Sequence, residues 1–118
     1  MGASQRTKGA VYEREVCAAF TQALGQPFTR NIGQSRDGGN DIDIGPLVVE
    51  CKRRKTLTTI EGWYKQAERA ACARDQTDLF MRELIPLVVA RSDGGKSLVV
   101  LSLVHFLALT ATELLEQR

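Results

Sequence analysis

The chain has 118 residues, 43% of them hydrophobic and 25% charged, with a formal net charge of +2. That length suits one domain with a modest core, and the composition is that of a globular chain, not an extended disordered one. No apolar run reaches the roughly 20 residues of a membrane-spanning helix, no secretory pattern precedes the first element, and so small a net charge does not by itself announce nucleic-acid binding.

Three cysteines (Cys17, Cys51, Cys72) without metal-ligand spacing, and one histidine, His105, offer little material for a zinc site or a Cys/His nucleophile. Unpaired cysteines fit a reduced cytoplasmic compartment, in a bacterial, archaeal or phage-infected cell. Residues 1–7 read as a disordered start, leaving 8–118 as a single domain. From Lys8 to Leu24 the pattern is helical: Val16, Phe20 and Leu24 recur at helical spacing beside Tyr12 and Cys17. Glu13 projects onto that stripe, whereas Glu15 points nearly the opposite way. A carboxylate on a buried stripe is costly unless paired, which makes Glu13 a functional candidate; an ion pair with a nearby arginine or lysine is the structural alternative. Gly25-Gln26-Pro27 ends the helix. Phe28–Ile32 reads as a short strand, followed by a loop containing Gly33, Gly38 and Gly39.

Two short β-branched runs, Ile42–Ile44 and Leu47–Val49, flank Gly45-Pro46 and read as a tight hairpin. Pairing Ile44 with Leu47 places Asp41 opposite Glu50, and alternation puts Asp43 and Lys52 on the same side. The other side is Ile42, Ile44, Leu47, Val49 and Cys51. Adjacent carboxylates repel unless a cation lies between them or one keeps a proton. Mg²⁺ takes one or two carboxylates together with water and phosphate oxygens, and a neighbouring lysine can stabilise charge developing on phosphate. The hairpin is therefore a candidate metal site for phosphodiester cleavage; the plainer reading is a solvated face on which Lys52 neutralises Glu50. Arg6, Lys8, Arg14, Arg30, Arg36 and the run Lys52-Arg53-Arg54-Lys55 concentrate positive charge in this half of the chain.

Beyond Lys55 a second helix, capped by Thr58 or Thr59, carries Ile60, Trp63, Tyr64, Ala67 and Ala71 on one apolar side, with Gln66 at its edge. Trp63 and Tyr64 are able to stack on a base, although aromatics at this spacing more often belong to a core. Leu79-Phe80-Met81, inside a polar stretch, suits a partner surface. Pro86–Ala90 and Leu98–Leu101 are continuous apolar runs about Asp93-Gly-Gly-Lys96, the pattern of central buried strands. Leu103–Leu115 closes the fold as a third helix through Leu107, Ala111, Leu114 and Leu115, with His105 near its start as a surface or partly packed residue. The order predicts a mixed sheet flanked by helices, a single-domain α/β fold.

At Asn40-Asp41 and Glu50-Cys51-Lys52 the chain resembles the PD-(D/E)XK nucleases, with Asn40 standing for the family's proline. Asp37-Gly-Gly-Asn-Asp41 followed by Glu50-Cys-Lys-Arg53 is similar to Mrr-type restriction endonucleases. Lys8-Gly-Ala-Val-Tyr-Glu-Arg14 is similar to the start of archaeal Holliday junction-resolving enzymes, which carry a catalytic glutamate where Glu13 stands. The resemblance runs from about Lys8 to the Leu98–Leu101 strand. It implies a restriction-endonuclease-like αβββαβ core and a Mg²⁺-dependent DNA endonuclease in which Mn²⁺ substitutes. Asp41, Glu50 and the Cys51 carbonyl would hold the ion, Glu13 would complete the acidic cluster, and Lys52 would position water or stabilise the phosphate. Asp43 competes with Asp41 for one role, and Gln66 matches a glutamine of related nucleases. Arg30, Ser35 and Arg36 resemble residues placed near the scissile phosphate; Lys8, Arg14 and Arg53-Arg54-Lys55 would grip the DNA backbone. A chain with no base-reading module favours a branched or four-way junction cut by a homodimer. A general or flap-processing nuclease, or a binding protein that kept the fold, are the alternatives.

Overall fold

The Gly45-Pro46 turn fixes the register of everything that follows it. Gly45 has φ of +55°, a conformation open to glycine at the first central position of a two-residue hairpin turn. β1 (Ile42–Ile44) and β2 (Leu47–Arg54) therefore pair antiparallel, with Ile44 opposite Leu47 and Ile42 opposite Val49, as the sequence predicts. The structure is a computed structural model that describes residues 2–31, 40–73 and 83–116, with side chains from residue 7 onward.

α1 (Gly2–Leu24) precedes the hairpin, and α2 (Ile60–Cys72), β3 (Ile85–Ser92), β4 (Leu98–Val100) and α3 (Leu103–Glu116) follow it. The four strands form one mixed sheet in the order β1-β2-β3-β4, antiparallel except for β2 beside β3. Alternation along β2 and β3 divides the core between two layers. Tyr12, Val16 and Cys17 of α1 pack against Ile42, Ile44, Val49, Leu87 and Val89. On the opposite face Val48 meets Ala70 and Ala71, and Val88 and Ala90 meet Trp63 and Ala67. The alanines let α2 approach the sheet closely, and β3, covered on both sides, reads as an unbroken apolar run. This is the single-domain α/β architecture of the restriction-endonuclease-like fold.

Several boundaries differ from the sequence reading. α1 begins at Gly2 rather than Lys8, because residues 3–7 contain neither glycine nor proline even though they lack the apolar period that would announce a helix. Among the described residues 28–31 no strand forms: Arg30 makes a lone bridge to Ile42, since β1 is only three residues long; Ile32, the end of the predicted strand, lies outside the described residues. Leu24, expected on the buried stripe, is 55% exposed at the last residue of α1. β4 is an edge strand and not a central one, with Leu98 and Val99 exposed. α3 forms where expected but has no buried residue. Trp63 belongs to the core, and Ile60 lies at its margin. The Leu79-Phe80-Met81 cluster lies outside the described residues.

The two-layer packing carries a stability consequence. Leu87→Ala, which removes side-chain volume between α1 and β3, is expected to lower the unfolding free energy by about 2–5 kcal/mol, whereas Leu24→Ala at the exposed helix end should change it by less than about 0.5 kcal/mol. Urea denaturation of the two variants checks this; equal losses would contradict the layer assignment.

Candidate active site

Asp41 sits at the bend just before β1, outside the strand register. Its N–H donates to the Val49 carbonyl at 3.0 Å and its own carbonyl accepts the Asn31 N–H at 2.7 Å. The side chain turns back across the ribbon, so that Oδ2 accepts the Cys51 N–H at 2.8 Å. This contact places the Asp41 carboxylate against the neighbourhood of Glu50, which is 2% exposed. Lys52 Nζ lies 3.7 Å from Glu50 Oε2 and donates to Gln66 Oε1 of α2 at 2.8 Å. From the other layer, Glu13 of α1 comes close enough to Asp41 for the two carboxyls to shift each other's titration, while Arg30 Nη1 pairs with Glu13 Oε1 at 3.4 Å.

Three carboxyls thus share a partly dry corner with few cations. Burial raises the pKa of Glu13, and the charge of Asp41 raises it further against the opposing pull of Arg30. Burial likewise raises Asp41, although the hydrogen bond from Cys51 and the charge of Lys52 act the other way. Glu50 is pushed up to about 7, first by burial and then by the charge of Asp41, with Lys52 opposing. The Cys51 thiol is also driven up by burial and by these acids, so it is inert as a nucleophile at neutral pH.

The structure separates the two aspartates that the sequence left in competition. Asp43 is clamped by two side-chain amides: Asn40 Nδ2 donates to its Oδ1 at 2.8 Å and Asn31 Nδ2 to its Oδ2 at 3.2 Å. Asn40, fully buried, also donates to the Ile42 carbonyl. Asp43 therefore braces the loop, and Asp41 is the aspartate gathered with Glu13 and Glu50. The sequence reading missed Asn31 and gave Asn40 no task of its own. Their signal was the habit of asparagine side chains to bind nearby backbone and carboxylate groups at turns.

The described basic residues do not gather into one patch. Lys8 and Arg53 converge on Asp93, at 2.9 and 3.2 Å, on the α1 side. Arg54 lies over the Trp63 ring, 5.7 Å from its centroid, on the α2 side, and Lys55 is exposed beyond it. Strand alternation makes this division unavoidable. Arg14 and Arg30 line a pocket of about 480 Å³ with Cys17, Thr21 and Phe28, beside the Glu13–Arg30 pair. Ser35 and Arg36 lie outside the described residues. Glu15, read as a solvent residue, is exposed and pairs with Arg91 at 3.3 Å.

Among the described residues no three acidic, histidine or cysteine side chains form a ready-made metal cage. The donor set nonetheless suits a hard divalent cation. Asp41 and Glu50 supply oxygen ligands whose mutual repulsion a cation would relieve, and such ions commonly take the rest of their shell from water and phosphate.

A mixed sheet whose first hairpin presents Asp41 opposite Glu50-Cys51-Lys52, under a helix bearing Glu13, defines a nuclease of the PD-(D/E)XK class. The family described as "Phage putative PDDEXK endonuclease" matches residues 4–116, and the chain belongs to that family. No curated protein and no solved structure matches it. No described helix is long and apolar enough to cross a membrane.

The raised Glu50 pKa has a definite sign. Because the folded state holds the proton more tightly than the unfolded chain, this group contributes stability below its ordinary value of 4.5, and the contribution is lost as pH rises through about 7. In metal-free buffer the melting temperature should therefore fall between pH 5 and pH 8 (roughly the window of the shift), and Glu50→Gln should flatten that fall and melt higher at pH 8. A variant that melts lower than wild type at pH 8 would show that Glu50 is stabilised as an anion.

Proposed function

We propose that the protein is a divalent-metal-dependent DNA endonuclease acting on branched DNA, with a four-way junction as the preferred substrate. The observation that carries this reading is the convergence of Asp41, Glu50 and Glu13 from two elements onto one corner, with Lys52 at 3.7 Å from Glu50 and tied to Gln66. In this reading Asp41, Glu50 and the Cys51 carbonyl hold Mg²⁺, for which Mn²⁺ substitutes, and Glu13 completes the cluster. The ion would neutralise charge on the scissile phosphate and acidify water.

The chain's own groups then have separate tasks. The Cys51 amide and the hairpin register hold the Asp41 carboxylate across from Glu50. Lys52, steadied by Gln66, orients the attacking water or offsets the charge that grows on the phosphate oxygens as the P–O bond breaks. Gln66 acts through Lys52 and is a positioning residue. Arg30 moves from Glu13 toward a phosphate once DNA supplies a stronger anion, and Arg14 adds a second guanidinium at the same pocket. Lys8, Arg53, Arg54, Lys55, Ser35 and Arg36 contact backbone phosphates on both sides of the site and so respond to DNA shape more than to sequence. Two symmetrical cuts at a junction call for two copies of the chain. The cellular setting is the cytoplasm of a phage-infected cell, where the free thiols Cys17, Cys51 and Cys72 stay reduced.

The test places a labelled four-way junction and a linear duplex in one tube with the protein under Mg²⁺, Mn²⁺ or chelator. Paired nicks confined to the junction, lost with chelator and with Glu50→Ala, are expected, and Lys52→Ala should slow cutting by about 100-fold or more. Equal cutting of both substrates would replace the junction preference with a general nuclease. Binding without cutting under either ion would overturn the catalytic assignment.

A further inference from the structure

α3 is the one described helix whose sequence and surroundings disagree. Its 14 residues are strongly apolar, yet none is buried, and Leu103 and Val104 are 69% and 75% exposed. Phe106, Leu107, Leu109 and Leu115 are open as well. Ser102 caps the helix, its Oγ accepting the His105 N–H at 3.2 Å, and His105 reaches Glu83 at 3.7 Å, while the apolar side chains of the helix stay open. The strand just before it is in the same condition. β4 lies at the edge of the sheet with Leu98 and Val99 exposed, and it carries neither the lysine nor the proline that usually blunts an edge.

We propose that this surface, the free edge of β4 together with α3, is the contact between two copies of the chain. Three observations choose a second copy over another occupant. The first is area: nine large apolar side chains stand exposed between Leu98 and Leu115, spread along β4 and around α3. The share on one face is of the order of the largest apolar patch of a monomer, roughly 300–600 Å², and two copies together bury about twice that, the scale of a small specific interface. The second is charge. Between Lys96 and Glu113 there is no Asp, Glu, Lys or Arg, so an identical surface meets no like-charge repulsion, and there is no charge pattern for a different partner to complement. The third is the edge itself. An unpaired strand of three residues pairs antiparallel with its own symmetry mate about a twofold axis, which joins the two four-stranded sheets and brings both α3 helices to the junction. A groove of about 310 Å³ borders the same strand, lined mainly by Tyr12, Val16, Phe20, Val89 and Val99 with Glu15 and Ser97 at its polar side, and its apolar part gives the partner's side chains a place to insert. The inference deepens the proposed function by naming where its two copies meet, but it stands on exposed apolar surface and not on the nuclease reading.

Sedimentation velocity of the full chain at micromolar concentration tests it, without DNA or metal. The expected mass is twice the 13.0 kDa of the chain, falling to one chain in Val99→Lys and in Leu107→Glu while far-ultraviolet circular dichroism stays that of the folded protein. A monomeric wild type, a dimer indifferent to both substitutions, or open-ended aggregation in place of a dimer would each overturn the proposal. Should the charged variants fail to fold, Val99→Cys in a Cys72→Ser background decides: oxidation should yield a covalent dimer, and recovery of monomer alone would refute the edge pairing. Nuclease activity is read separately, so a dimer that does not cut, or a monomer that does, distinguishes failure of one reading from failure of the other.

Discussion

Like-charge crowding in a dry corner is the constraint around which the rest of the molecule is arranged. Glu13, Asp41 and Glu50 each have a raised pKa, each because of burial first, and Asp41 adds to the shift of both glutamates. An arrangement of this kind stores unfavourable energy in the folded state. It survives because the surrounding elements over-determine it. The hairpin register is set by a glycine turn, β2 is locked beside β3 along its whole length, and α1 and α2 clamp the two faces. Sites that set aside local stability in this way tend to be the ones that bind something.

The acidic corner also shows how nearly identical residues receive different work. Asp41 and Asp43 are two positions apart, and alternation puts them on the same side of the hairpin. Asp43 is met by two asparagine amides and becomes part of the scaffold. Asp41 is met by one backbone amide and two neighbouring acids, with the charges of Lys52 and Arg30 only partly offsetting its burial. The lysine is divided in a similar way: its distance to Glu50 is that of a loose ion pair, while its short hydrogen bond goes to Gln66. A helix glutamine therefore decides where the ammonium stands.

Much of this was legible in the sequence, and the reasons are physical. Gly45-Pro46 between β-branched runs left one sensible register, and the structure keeps it from Ile44 opposite Leu47 to Ile42 opposite Val49. Asp41 lies just beyond that ladder, at a bend, and is drawn to the Glu50 side by its side-chain bond to the Cys51 N–H. Glu13 stood out because its position on an apolar stripe made no sense for a solvent residue. What was not legible depended on tertiary facts that periodicity does not encode. Phe28–Ile32 has strand composition, but strand pairing needs an edge, and β1 is too short to offer one. Leu98–Val100 has the composition of a central strand and lies at the margin because nothing follows it in the sheet. Leu103–Glu116 has the pattern of a packed helix, yet none of its residues is buried. The basic run from Lys52 to Lys55 looks like one patch when written out, yet a strand sends alternate residues to opposite faces, and Arg53 and Arg54 end on different layers.

The central claim is that the crowded carboxyls are held apart for a divalent cation. Its most direct measurement is the melting temperature of the metal-free protein at pH 8 with and without millimolar Mg²⁺ or Mn²⁺, for wild type and for the Asp41→Asn, Glu50→Gln double variant. Binding to the folded state alone stabilises it, so either ion should raise the wild-type melting temperature, and the double variant should show no rise. A wild type that melts at the same temperature with and without either ion would contradict the account and leave the acidic corner as a feature of packing alone.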